Sequence, residues 1–114
     1  MPSCSKADVV LVAYPFTELE TRKVRPAIVV SSPGDRYQDV FIVPMTSRIS
    51  ELQPGEFILS NYRDYGLNVP TAVKRGCILI DSSLILKRVG TLNTSIMENV
   101  RRSLRLWLEL TQRK

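Results

Sequence analysis

The chain changes its hydrophobic period once, and late. Up to residue 92 its apolar residues come in short, β-branched runs, and after residue 93 they recur at helical spacing. The runs 8–13 (DVVLVA), 26–31 (PAIVVS) and 39–45 (DVFIVPM) read as buried strands, and 56–59 (EFIL) as a fourth, short one. Residues 72–73, 78–80 and 86–92 are further strand candidates with irregular joints. Ser32-Pro33-Gly34-Asp35 has turn chemistry, and residues 46–54 and 61–70 read as polar loops. Met97, Val100, Leu104, Trp107 and Leu108 share one helical face, which predicts an amphipathic helix over about residues 95–110. Asn93, Thr94 and Ser95 are candidate N-caps, and Ser95 with Glu98 has capping-box spacing. Trp107 reads as a core anchor rather than a base-stacking residue. Several short strands followed by one such helix predict a mainly β protein (α+β): a small β-barrel or sandwich with the helix packed on it. A length of 114 residues makes one domain.

Composition removes most catalytic chemistry. The chain has no histidine, which excludes the Ser-His-Asp triad, Cys-His dyads, paired-histidine nucleases and the usual zinc enzymes. Cys4 and Cys77 are too few for a disulfide framework or a four-ligand zinc site, and read as free thiols in a reducing cytoplasm. The eleven carboxylates are scattered, and the five glycines form no phosphate-cradling motif, so neither a metal nor another cofactor is expected. No charged start followed by a long apolar run marks a secretory signal, and no apolar stretch is long enough to span a bilayer.

What remains is cationic. The net charge is +5, and it is uneven: seven basic and eight acidic residues precede Thr71, whereas nine basic and three acidic follow from it. A basic half suggests a polyanionic partner, either nucleic acid or an acidic protein segment. Arginines and hydroxyls can work on RNA, because the substrate's own 2′-hydroxyl is held close to the phosphorus. The protein then supplies in-line geometry, charge stabilisation and routes for two protons. Arg25 is placed for such a role: it precedes Pro26, which restricts its backbone to extended geometry. Thr46 and Ser47 leave the third strand as adjacent hydroxyls, followed by Arg48. If the second and third strands are neighbours, Arg25 and Thr46 share a face; otherwise they are a surface arginine and loop-capping hydroxyls.

At these residues the sequence resembles the PemK/MazF family of toxins from type II toxin–antitoxin systems. DVVLVAYPFTE (8–18) looks like that family's opening strand and hairpin, and VRPAIVVSS (24–32) like its Arg-Pro strand. FIVPMTS (41–47) looks like its third strand, and LILKRVGTL (84–92) with the following helix like its C-terminal signature. The resemblance implies an SH3-like barrel, usually a homodimer. It implies a growth-inhibiting, metal-independent, sequence-specific endoribonuclease that leaves a 2′,3′-cyclic phosphate and a 5′-hydroxyl. The implied partners are single-stranded RNA and an antitoxin whose flexible segment covers the RNA groove. Carried over by position, Arg25 and Thr46 match the catalytic arginine and hydroxyl. Ser47, Arg48, Lys74 and Arg75 are candidates for RNA binding or support.

One stretch departs from the pattern. Some relatives use an arginine and an aspartate separated by one residue; here Lys74 and Gly76 fall at those positions, and the next carboxylate is Asp81. Two non-catalytic readings follow from this. One is a domain that binds RNA or antitoxin without cutting. The other is a gyrase-binding inhibitor like the CcdB-type toxins, which use the same barrel and the end of its helix, here Trp107-Leu108-Glu109-Leu110-Thr111. Sequence preference is expected from residues 18–24, 47–54 and 62–70. In the last of these, Tyr62 and Tyr65 either stack on unpaired bases or pack locally, the commoner fate.

Overall fold

The computed structural model describes residues 4–14, 23–31 and 38–110. The expected turn at 32–35 and most of the 18–24 loop lie outside them. Seven strands form one antiparallel sheet: β1 (Asp8–Tyr14), β2 (Lys23–Val29), β3 (Asp39–Thr46), β4 (Phe57–Ile58), β5 (Ala72–Val73), β6 (Ile78–Asp81) and β7 (Ile85–Thr91). One helix, α1 (Thr94–Trp107), follows. The sheet order is β4-β5-β3-β2-β1-β7, with β6 also on β3.

Topology forces this sheet to roll. In the run β6-β3-β2-β1-β7 the two outermost strands are consecutive in the chain, joined only by a 3-10 turn at Ser82–Leu84. Three residues cannot span a flat five-stranded sheet, so its edges curl together into a barrel-like fold. No ladder joins β6 to β7 among the described residues, so the barrel is open. The concave face holds Val10, Val12, Tyr14, Ala27, Val29, Val40, Ile42, Ile80 and Ile85. The opposite face, with Val9, Ile28, Val43, Met45 and Val73, is covered by Met97 and Val100 of α1 and by Leu59, Tyr65 and Leu67. Burial on both faces explains why β1 reads as a continuous apolar run instead of alternating.

The long β3 serves two partners on one edge. Its first half pairs with β6 (Ile42↔Ile78) and its end with β5 (Met45↔Val73). Five steps from Val73 to Ile78 therefore face three from Ile42 to Met45, and the excess bulges out as residues 74–77. Lys74 N–H donates to the Pro44 carbonyl at 2.9 Å and anchors the bulge.

Three sequence expectations are corrected. The second strand begins at Lys23, not Pro26, so Arg25 lies inside it, opposite Val12. Of the three cap candidates it is Asn93 that caps the helix, its Oδ1 accepting from Ile96 N–H at 2.8 Å, and the Ser95–Glu98 capping box does not form. Ser95 is within the helix, and Glu98 binds Arg101 (3.1 Å) and Arg105 (3.7 Å) instead. The helix also stops at Trp107, not about residue 110. Glu109, at φ 56°, turns the chain left-handed while Glu109 N–H bonds Leu106 O and Leu110 N–H bonds Arg105 O, a Schellman ending without the customary glycine. Trp107 is a core anchor as expected: it packs on the α1-side core, and its Nε1–H donates to the Pro54 carbonyl at 2.9 Å.

Candidate active site

The β2–β3 ladder ends at Ala27↔Pro44, beside the two prolines of these strands. Proline has no N–H to continue a ladder. Two residues beyond that pair stand Arg25 and Thr46, on the face shared by Ala27 and Pro44. The expectation that they neighbour one another holds, and both line a groove of about 540 Å³ at this end of the strands.

Among the described residues, five cations line the groove. Lys23 and Arg25 come from β2, Arg48 from just beyond β3, and Lys74 and Arg75 from the bulge. All five are exposed. Three precede Thr71 and two follow it, so folding gathers them across the charge boundary read in the sequence. Lys87, Arg88 and Arg101 do not line the groove, and Arg102 and Arg105 line a separate hollow beside Phe57 and Leu106. Ser47 lies on the other side of Thr46, in an adjoining depression.

The hydroxyl of Thr46 is oriented. Its Oγ1 accepts from the Arg48 N–H at 3.1 Å, which commits a lone pair and leaves its own hydrogen to donate. Behind it Tyr14, opposite Lys23 in the β1–β2 register, is buried. Burial pushes its phenol up to about 12 against the opposing pull of the Arg25 charge, so it stays protonated at neutral pH.

Glu56 was not singled out from sequence, because it meets the bulge from 19 residues away. Its Oε2 accepts from Arg75 N–H at 2.9 Å and its Oε1 from Gln53 N–H at 2.7 Å. These two bonds hold its carboxyl below the usual 4.5, helped less by the Lys74 and Arg75 charges. That makes Glu56 a clamp on the cationic bulge and a poor base. The segment it belongs to is tied to α1, where Ser103 Oγ–H donates to the Gly55 carbonyl at 2.7 Å. Gly76, by contrast, faces Pro44: a Cβ built there would lie 3.0 Å from the ring's Cγ and Cδ.

Cys4 and Cys77 are unbridged, and burial pushes both thiols up from 9.0. Among the described residues, no cluster of three or more His, Cys, Asp or Glu could hold a metal ion. No helix there is long and apolar enough to cross a membrane. Tyr65 is 5% exposed and its hydroxyl accepts from Asn93 Nδ2 at 3.1 Å, which leaves it no base to stack on. Tyr62 packs partly on the core, with the Arg63 guanidinium 5.8 Å from its ring centre.

A neutral, oriented donor among five cations, with no carboxylate among the described residues of the lining, suits a phosphodiester. Sequence and shape comparisons agree with one another. The family model of PemK-like, MazF-like toxins of type II toxin–antitoxin systems matches residues 5–108. No curated protein sequence matches significantly. Among solved structures, the chain is similar to MazF from Deinococcus radiodurans at 21% identity and TM-score 0.76, covering 96% of this chain and 99% of that one. It is similar to an endoribonuclease in complex with its cognate antitoxin from a mycobacterial species (13% identity, TM-score 0.76, 97% and 100% covered). It is also similar to the Mycobacterium tuberculosis toxin MazF-mt6 (16%, 0.72, 92% and 99%).

Proposed function

The chain belongs to the PemK-like, MazF-like toxin family of type II toxin–antitoxin systems, and from that premise we propose that it is a cytoplasmic endoribonuclease cutting single-stranded RNA without a metal. The observation that carries this reading is the Arg25–Thr46 juxtaposition within a cationic groove. The RNA 2′-oxygen attacks the adjacent phosphorus in line with the departing 5′-oxygen. A P–O bond forms to the 2′-oxygen and the P–O5′ bond breaks, leaving a 2′,3′-cyclic phosphate and a 5′-hydroxyl. Arg25 takes the growing charge of the non-bridging oxygens through its planar fork. Thr46 donates its free hydrogen to one of them. Lys74, Arg75, Lys23 and Arg48 hold the flanking phosphates.

Among the described residues lining the groove there is no carboxylate to receive the proton of the 2′-hydroxyl, and Tyr14 is held protonated. That proton passes to solvent hydroxide, and the 5′-oxygen takes its proton from water. The partners that fit are an antitoxin with an acidic segment, competing for the same cations, and a second copy of the chain. For the second copy, Phe41 and Leu79 form a cross-strand pair left 45% and 50% exposed on the face that carries α1.

The test is cleavage of a long single-stranded RNA in EDTA with analysis of the product ends. Discrete cuts with cyclic phosphate ends are expected, with Arg25→Ala slower by about 10²–10³-fold. RNA bound but left whole would move the assignment to a binding-only domain, with Gly76 as its cause.

A further inference from the structure

Arg25 and Thr46 line not one depression but two. On the side away from the five-cation groove lies a hollow of about 400 Å³, within the range of small-molecule sites. Its character is different. Among the described residues Arg25 is its only charged group, and the walls include Leu11, Pro26 and Val69, with Ser47 and Asn68 as polar groups beside the hydroxyls of Thr46 and Thr71. A phosphate chain gains little there, whereas a flat, uncharged ring with polar edges fits.

We propose that this hollow is a pocket for one unpaired nucleobase next to the scissile phosphate, and that Asn68 is the residue that reads it. The inference rests on the RNA-cleaving reading above and adds the base-recognising site to it. Two observations favour Asn68. First, it is exposed and its amide makes no hydrogen bond among the described residues, so its donor and acceptor are both available. Second, it is carried on a braced loop. Gly66 turns left-handed at φ 78°, with Gly66 N–H bonded to Arg63 O and Leu67 N–H to Tyr62 O. On the far side Thr71 Oγ–H donates to the Val69 carbonyl at 2.8 Å, and the Thr71 carbonyl accepts from Leu59 N–H at 2.9 Å. Leu67 and Thr71 are buried on either side of it, 7% and 2% exposed. A free amide fork on a fixed loop is the equipment for reading a base edge, because little order has to be gained on binding.

The chemistry predicts how substitutions behave. An amide offers one donor beside one acceptor. A carboxylate offers two acceptors, which match the adjacent N1–H and N2–H₂ donors of guanine. Neither Asn68→Ala nor Asn68→Asp removes a bond the fold uses, so both should keep the melting temperature of the wild type.

The experiment digests a random-sequence RNA library with wild type, Asn68→Ala and Asn68→Asp, sequences the cut sites, and measures binding of single-stranded oligonucleotides varied at the positions flanking the preferred site. The expected result is at least a tenfold loss of discrimination at one flanking base in Asn68→Ala, and a shift towards guanine there in Asn68→Asp. Unchanged base preference in both variants overturns the proposal. If wild type binds RNA without cutting it, a base preference in binding that Asn68→Ala abolishes upholds the pocket while the cleavage reading fails. A wild type that neither binds nor cuts RNA overturns both.

Discussion

Thr46 contributes one hydrogen, and its worth is measurable separately from its bulk. Thr46→Ser keeps the hydroxyl and its bond from Arg48 N–H, and should cut within a few-fold of wild type. Thr46→Val keeps the shape and loses the donor, and should cut about 10- to 100-fold more slowly, the cost of one charge-assisted bond. Gly76 tests the opposite intuition. Restoring a carboxylate with Gly76→Asp should not raise activity, because its Cβ would press on Pro44 at 3.0 Å and push the bulge that carries Lys74 and Arg75. Single-turnover cleavage beside thermal melting reads both outcomes. A proline after one and a strand end at the other drew attention to Arg25 and Thr46 in the sequence, while their proposed roles come from the family resemblance. Tyr14, Lys23 and Glu56 were not legible there. Their roles come from a cross-strand register and from a hydrogen bond spanning 19 residues, neither of which leaves a local pattern.

At the scale of elements, the C-terminal helix holds more than its own face of the core. Ser103 and Trp107 pin the carbonyls of Gly55 and Pro54, and the next residue, Glu56, grips the cationic bulge. This clamp is sensitive to acid. The folded-state pKa of Glu56 lies below its usual 4.5, so its contribution to stability is whole above that value and is lost as pH falls through the folded one. Urea titrations between pH 6 and 3 should therefore show a shallower loss of stability for Glu56→Gln than for wild type. The helix ending makes a prediction of the other sign. Glu109 sits at φ 56° where glycine is at ease, so Glu109→Gly should stabilise the fold by about 0.5–1 kcal/mol in the same titrations. The helix itself was readable from its period. Its end was not, since no glycine or proline marks it, and apolar residues at 108 and 110 extend the pattern past the last turn.

For the molecule as a whole, charge reads differently in space than along the chain. The groove draws Lys74 and Arg75 from the basic half inferred from sequence and Lys23, Arg25 and Arg48 from the balanced half. If each of its five cations displaces a counterion, RNA affinity should fall with a log–log salt slope of about 3.5, and Lys74→Ala should lower that slope by about 0.7. Fluorescence anisotropy at several salt concentrations measures both. The barrel-like fold was legible as several short strands and a helix, but the pairing of the first strand with the last was not. Asp8 pairs with Thr91, and its Oδ1 accepts from the Thr91 hydroxyl 83 positions away. Contacts of such separation are slow to form, since a long loop must close before they are rewarded. A chain emerging from the ribosome therefore carries Arg25 and Thr46 early and the strand that braces their sheet late. Until residue 91 has been made, β1 lacks a neighbour on one side, and the apolar residues of the first three strands lack their frame. Manufacture and completion run in opposite order, so a half-synthesised copy holds the chemical groups of the groove without the geometry that would let them act.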